Sequence, residues 1–319
     1  MIRVGIIGGA GYTAGELTRL LINHPEVEIA FIHSTSNAGV PVSQIHEGLI
    51  GDTDMVFADS YDLSAIDVLF LCQGHGFSEK FWEENPMPEG LKVIDLAQDY
   101  RDESEGYVYG LPEVKRDAIR NCRKLANPGC FATAIQLALL PLAATHQLKG
   151  EVHVTGITGS TGAGVKPGAT THFSWRNDNL SVYKAFEHQH LKEIKQTLTQ
   201  VSGSEPRIAF VPVRGDFPRG IFVMAYIDSD LSEAEARKLY EDFYADAEFT
   251  HVSPRSVDLK QAVNTNKCIL GLEKHGDKLL ICSAIDNLLK GASGQAVQNM
   301  NLMFGLPEST GLKLKPSAF

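Results

Sequence analysis

The sequence predicts an α/β protein in two parts, a parallel sheet covered by helices on both faces followed by a mixed sheet with helices on one face. Three observations carry this. Short, continuous apolar runs alternate with helical patterns over the first 130 residues, as in a sheet buried on both sides. A glycine cluster directly follows the first of those runs. Beyond residue 132 the texture changes to alternating strands, a long Gly/Ser/Thr loop and an amphipathic helix. A chain of 319 residues has room for about two domains. The expected division is 1–130 plus the segment 295–319 for the first domain and 131–294 for the second.

In chain order, "RVGIIG" is the first strand and "AGELTRLLINHP" a helix closed by Pro25. "VEIAFIH", "DVLFLCQ" and "KVIDLA" are further buried strands. A helix, "TAIQLALLPLAATHQL", leads to the strand "EVHVTGIT" and a loop from Gly159 to Asn179. "RIAFVPV", "GIFVMAYID", "SVDLKQAV" and "KLLICSAID" read as the remaining sheet patterns, with "LSEAEARKLYEDFYADA" as an amphipathic helix among them. His275-Gly-Asp277 marks a hairpin turn before the last strand. The closing "GASGQAVQNMNLMFG" is helical and is expected to return to the first domain.

Composition narrows the function classes. Hydrophobic residues at 43%, charged residues at 21% and a net charge of −10 describe an ordinary globular protein. With no block of lysines or arginines, nucleic acid and anionic membrane are poor partners. "MIRVGIIGG" runs straight into a strand without a leader pattern, and no apolar run approaches a bilayer span. The five cysteines are scattered and form no C-x-x-C pair, which points to neither a disulfide framework nor a zinc site. A reduced, cytoplasmic compartment is expected.

"VGIIGGAGYTAGEL" places Gly8, Gly11 and Gly15 after the first strand and at the mouth of the first helix. A dinucleotide pyrophosphate needs this arrangement: a tight turn, close backbone approach, and free N–H groups, here at Tyr12, Thr13 and Ala14. The first domain is therefore expected to be a Rossmann-type sheet. Where the second strand ends, His33-Ser-Thr-Ser-Asn37 offers Ser34, Thr35 and Ser36 and no acid. Hydroxyls and amides suit a 2′-phosphate, which a carboxylate would repel, so the expected cofactor is NADP.

"ANPGCFATA" sets Cys130 directly after Pro128 and Gly129, at the start of an apolar helix. The unsatisfied N–H groups there stabilise a thiolate and lower its pKa. Cys72, Cys122, Cys268 and Cys282 lie in or beside apolar runs and read as small buried hydrophobes. In "EHQHLKEI", His190 and Glu193 are three apart and share a helix face, with His188 and Glu187 beside them. This cluster is either a solvated helix start or an acid/base histidine serving the thiolate; a metal site would need a third ligand that the sequence does not offer. Arg101, ending "DLAQDYR", and Arg214 and Arg219, in "PVRGDFPRGI", suit anions, with a surface ion pair the alternative for each.

Taken together these segments resemble the N-acyl-gamma-glutamyl-phosphate reductase family of arginine biosynthesis, relatives of aspartate-semialdehyde dehydrogenase. "GGAGYTAGEL", "VIDLAQDYR", "YGLPE", "ANPGCFATA", "GSTGAG", "HQHLKEI", "FPRGI" and "DNLLKGASGQAVQN" match its motifs in order along nearly the whole chain. The resemblance implies a glyceraldehyde-phosphate-dehydrogenase-like α+β second domain, a homodimer or homotetramer, and NADPH-dependent reductive dephosphorylation of an acyl phosphate to a semialdehyde. It places the nucleophile on Cys130, the H-x-H-x-x-E on His188, His190 and Glu193, and substrate contacts on Arg101, Asn127 and Arg219. Gly162 and Asn287 would lie at the cofactor. The chain departs from the pattern at Thr35, Ala97 and Val165 and in the order Ala14-Gly15. It also carries Val213-Arg214 where a relative shows His-Leu. Arg214 is read as a partner for a bulkier or anionic N-acyl group, succinyl instead of acetyl. Two rivals remain at this stage: aspartate-semialdehyde dehydrogenase itself, and an NADP-binding sensor without chemistry.

Overall fold

The computed structural model describes residues 1–316 and divides into two compact units. The first comprises Met1–Pro128 and Ala292–Lys313; the second comprises Gly129–Gly291 and, among the described residues, 314–316. The sequence reading carried the first domain to residue 319, and residues 317–319 lie outside the described ones.

The first unit opens with β1 (Ile2–Ile7), α1 (Tyr12–Leu21) and β2 (Val27–His33). The short α2 (Val42–Ile45) precedes β3 (Val68–Leu71), α3 (Ser78–Glu84), β4 (Lys92–Asp95) and β5 (Val108–Tyr109). Then come α4 (Pro112–Asn121) and β6 (Lys124–Ala126). The six strands are all parallel, in the order β2-β1-β3-β4-β6-β5. β3 is buried at every position, which is why its sequence is a continuous apolar run without alternation. The strand order reverses beside β1, and the crevice at the carboxyl ends of the strands at such a point is where open α/β sheets bind ligands.

The second unit begins with α5 (Cys130–Ala144), whose residues from Phe131 to Ala143 are all buried. A helix apolar all round can only be a central one. Tyr240 and Tyr244 donate their hydroxyls to its Ala138 and Leu137 carbonyls at 2.5 and 2.6 Å. The unit continues with β7 (Glu151–Thr158), α6 (Phe173–Arg176), β8 (Ser181–Val182), α7 (His190–Ser202), β9 (Arg207–Arg214) and β10 (Ile221–Asp228). It ends with α8 (Glu233–Phe243), β11 (Thr250–Val252), β12 (Cys268–His275) and β13 (Lys278–Ile285). These strands form one mixed sheet, β11-β12-β13-β10-β7-β9-β8. Burial alternates along β7, so one face meets the helices and the other stays half-covered. Ser232 and Glu235 close a capping box that starts α8. Gly276-Asp277 is the hairpin between β12 and β13, with Gly276 at φ +58°.

The segment "SVDLKQAV" is not a strand. Asp258 accepts the Gln261 N–H and starts a 3₁₀ turn over Leu259–Gln261, a local competition that short acidic side chains win against a ladder. The strand that pairs with β13 is instead "CILGLEKH". A π-helical turn, Leu289–Ser293, then leads into α9 (Gly294–Met303), which belongs to the first unit. Among the described residues no helix is long and apolar enough to cross a membrane.

Candidate active site

In the first unit the chain leaves β1 through Gly8, whose φ of +86° disfavours a side chain and where an added Cβ would stand 3.0 Å from the Cys72 backbone. The Gly8 and Gly9 N–H groups donate to the His33 carbonyl. Gly11 caps α1 with no side chain, so the N–H groups of Tyr12, Thr13 and Ala14 have no side-chain acceptor from their own N-cap. The loop is held from above by a residue the sequence reading did not single out. His46 Nε2 donates to the Gly9 carbonyl at 2.7 Å, and its ring lies 2.5 Å from where a Gly15 Cβ would stand. Gly15 is thus a glycine because of His46, and only tertiary proximity shows it.

At the end of β2 the side chains gather as the hydroxyl pattern implied. Asn37 Nδ2 donates to Ser36 Oγ at 2.8 Å and to Ser34 Oγ at 3.3 Å, and the two hydroxyls lie 3.5 Å apart. Thr35 is exposed beside them. His33 is held below its ordinary pKa by burial, so it contributes a neutral ring. A cradle a Cβ would fill, an uncapped helix start and a hydroxyl cluster at the end of β2 fit a dinucleotide carrying a 2′-phosphate.

Arg101 and Asn127 also belong to this unit, and both are engaged within it. Arg101 donates from Nε to the Asn127 carbonyl at 2.9 Å and from Nη2 to the Leu96 carbonyl at 3.0 Å. Asn127 donates from Nδ2 to the Ala292 carbonyl and accepts from Asn299 Nδ2 at Oδ1. Beside them Asp95 is fully buried, and burial raises its pKa to about 6.

In the second unit Cys130 is the first residue of α5, and Gly129 supplies no side-chain cap. Cys130 is partly exposed. Burial pushes the thiol pKa of Cys72 and Cys282 up and that of Cys122 up to about 11, and Cys268 is buried against Ser283. Cys72, Cys122 and Cys282 are therefore poor thiolates.

Glu193 joins the start of α5 to the histidine pair. Its Oε2 accepts the Gly129 N–H at 3.0 Å, and its Oε1 lies 3.9 Å from His190 Nε2. All of these side chains are buried: His188, His190 and Glu193 are 4%, 8% and 5% exposed. The solvated-helix alternative therefore does not hold. The carboxylate is fixed less by the imidazole than by the peptide N–H just before Cys130, which the i, i+3 spacing could not reveal.

The two histidines differ sharply. His188 packs edge-on against Phe131, Phe210 and Tyr183, and its Nδ1 accepts the His190 backbone N–H at 3.3 Å. Burial, aided by the Lys184 charge, lowers its pKa to about 4. It is a neutral core imidazole that turns the start of α7 and so sets the position of His190.

Tyr183 and Arg176 complete the surroundings, and neither was anticipated. Tyr183 is held above its ordinary pKa by burial first and by the neighbouring Cys130 charge second. The Arg214 guanidinium lies 4.7 Å from the centre of its ring and donates to Thr170 Oγ1 at 3.2 Å. Arg176, 5% exposed, donates to the carbonyls of Thr170, Asn179 and Arg214 and to Ser181 Oγ. One arginine thus staples the long Gly/Thr loop to the end of β9. In the sequence it is a lone cation among polar residues, without a periodic signal.

Arg219 meets Asp286, which is fully buried, with Nε and Nη2 at 3.1 and 3.0 Å from Oδ2. Asn287 accepts the Gly220 N–H at 2.7 Å and donates to Thr161 Oγ1 at 3.0 Å. It therefore braces the turn that carries Gly162, which stays exposed and where an added Cβ would meet only Thr158 Oγ1, at 3.7 Å. Among the described residues no group of three or more His, Cys, Asp or Glu could hold a metal ion.

Comparison with known proteins places this geometry. Residues 3–122 match the semialdehyde dehydrogenase NAD binding domain, and residues 130–287 match the semialdehyde dehydrogenase dimerisation domain. The N-acetyl-gamma-glutamyl-phosphate reductases of Bacteroides thetaiotaomicron and Bacteroides fragilis are each 61% identical to this chain over 100% of both sequences. The fold resembles that of aspartate semialdehyde dehydrogenase II from Vibrio cholerae, with a TM-score of 0.73, 17% identity, and 96% and 99% of the two chains covered.

Proposed function

Because the chain belongs to the N-acetyl-gamma-glutamyl-phosphate reductase family of semialdehyde dehydrogenases, we propose that it reduces N-acetyl- or N-succinyl-gamma-glutamyl phosphate with NADPH to the corresponding glutamate 5-semialdehyde and phosphate, in arginine biosynthesis, through a thioester on Cys130. The observation that carries the reading is the Glu193 bridge, which brings the start of α5 and His190 to one buried carboxylate.

The chemistry follows from the residues. The Cys130 thiolate, at the N-terminus of an uncapped helix, attacks the gamma-carbonyl carbon; the S–C bond forms, the C–O bond to phosphate breaks, and phosphate leaves. When bound, NADPH supplies the hydride that reduces the thioester carbon. His190 gives its proton to the oxygen that becomes negative, forming the thiohemiacetal, and takes that proton back as the C–S bond breaks to return the thiolate and release the aldehyde. His188, neutral at working pH, orients His190. Arg214, stacked on Tyr183, is the anion holder on the N-acyl side. Arg219, paired with Asp286, is the contact for the phosphate. Gly8, Gly11 and the N–H groups of residues 12–14 hold the pyrophosphate, and Ser34, Thr35 and Ser36 hold the 2′-phosphate. Arg101 fixes the Asn127 carbonyl, and Asn127 and Asn287 act by bracing the turns beside the site.

A homodimer built on the second unit and a cytoplasmic location complete the reading. It is supported by the dimerisation-domain match and by exposed Phe173, Trp175, Leu180, Val182 and Phe186 in that unit. Offering semialdehyde, phosphate and NADP and following absorbance tests the activity. Cys130→Ala is expected to keep NADPH binding and lose turnover; wild-type turnover in that variant removes the covalent mechanism.

A further inference from the structure

Gly291 sits in the π-helical turn Leu289–Ser293 and is buried. A glycine inside a helical turn costs about 1 kcal/mol relative to alanine, so its presence calls for a local reason. A Cβ on Gly291 would stand 2.8 Å from Cys130 Cβ and 3.2 Å from both Cys130 Cα and the Asp286 carbonyl oxygen. Of those atoms only the Cys130 Cβ belongs to a side chain. The two Cβ atoms would have to part by about 0.6 Å to reach ordinary contact at 3.4 Å.

The turn itself cannot retreat easily. The Gly291 N–H donates to the Asp286 carbonyl at 2.9 Å. The Asp286 carboxylate accepts the N–H groups of Asn264 and Leu288 at 2.8 Å each, along with the Arg219 guanidinium. Asn287 is bonded to Gly220 and Thr161. On the other side the backbone entering Cys130 is tied by the Gly129 N–H to Glu193 and by the Thr133 N–H to the Gly129 carbonyl. The nucleophile is clamped between a fixed carboxylate and a fixed glycine. π-turns recur at functional sites, and here the wider turn brings a bare Cα against the reacting residue.

We propose that Gly291 is a positioning residue for Cys130: its missing side chain sets where the thiol stands at the helix start, and Asp286 with Arg219 holds it there. The inference rests on the reading of Cys130 as the nucleophile. In Gly291→Ala the added methyl displaces the thiol from the α5 N–H groups. kcat is expected to fall at least about tenfold, since misplacement by about 1 Å costs on the order of 100-fold. Iodoacetamide modification of Cys130, followed by peptide mass against Cys72 and Cys122 as internal references, is expected to show its pH midpoint moved upward, as a thiolate loses helix-start stabilisation. Unchanged kcat together with an unchanged alkylation midpoint overturns the proposal.

A double-mutant cycle on thermal unfolding covers poor folding. Removing the Cys130 Cβ in Cys130→Gly relieves the closest contact, so most of the penalty of Gly291→Ala disappears in that background. A penalty of the same size in both backgrounds overturns the contact. Turnover retained in Cys130→Ala removes the nucleophile reading instead, and the alkylation and unfolding readouts, which need no turnover, still decide on Gly291.

Discussion

Glu193 offers the sharpest separation of stability from catalysis, because its two oxygens have different duties. Oε2 accepts the buried Gly129 N–H at 3.0 Å, and Oε1 faces His190 at 3.9 Å. Glu193→Ala leaves that N–H without an acceptor, at a cost of about 1–3 kcal/mol, and removes buried methylene contacts worth about 1 kcal/mol more. At about 2–4 °C per kcal/mol for a unit of this size, the loss in Tm is on the order of 5–15 °C. Glu193→Gln keeps an oxygen for Gly129 and nearly the same volume, so most of the stability returns. Its charge is gone, and His190 loses the carboxylate 3.9 Å from its Nε2; kcat is expected to fall about tenfold, less than the roughly 100- to 10,000-fold that general acid catalysis contributes as a whole. Circular-dichroism melting and NADPH-absorbance kinetics on the same preparations read both effects. A Glu193→Ala protein as stable as wild type, or a Glu193→Gln protein with wild-type kcat, would refute the assignment of one oxygen to folding and the other to the histidine.

Three further outcomes follow from the same geometry. His188 has a folded pKa of about 4 against 6.5 for the free group, so its contribution is complete above pH 6.5 and is lost as pH falls toward 4. The loss amounts to roughly 3 kcal/mol, and urea midpoints across that range should lose this slope in His188→Leu; an unchanged slope would contradict the buried neutral ring. Arg214→Leu is expected to lower kcat/KM for the N-succinyl substrate about tenfold relative to the N-acetyl one, the worth of one charged hydrogen bond, and equal effects on both would remove its role on the N-acyl side. His46→Ala should weaken NADPH binding about tenfold by freeing the Gly9 carbonyl, read by cofactor fluorescence, and an unchanged Kd would leave the loop self-supporting.

What the sequence made legible is what is local. The glycines after β1, the acid-free end of β2 and the cysteine at a helix start are each readable within a few residues, because each depends on backbone conformation or on an adjacent helix terminus. The partners that fix them lie far along the chain. His46 reaches back 37 residues to Gly9, Glu193 reaches 64 to Gly129, and Arg219 reaches 67 to Asp286. No periodicity encodes such pairings. For the same reason Arg176 carries no signal in the sequence, although it donates to four groups around the long loop. Arg219 and Asn287, read as ligand contacts, also brace the site internally. In "SVDLKQAV" the apolar spacing was compatible with a strand, but Asp258 settled it as a turn through a local bond that pattern alone does not weigh.

The central claim is the Cys130 thioester, and it can be observed without the reductant. Mixing the enzyme with acyl phosphate in the absence of NADPH should release a burst of one phosphate per active site and leave the acyl group on the peptide containing Cys130, detected by mass at acidic pH. Cys130→Ala should show neither. An acyl adduct on any other cysteine, or a full burst in Cys130→Ala, would contradict the account.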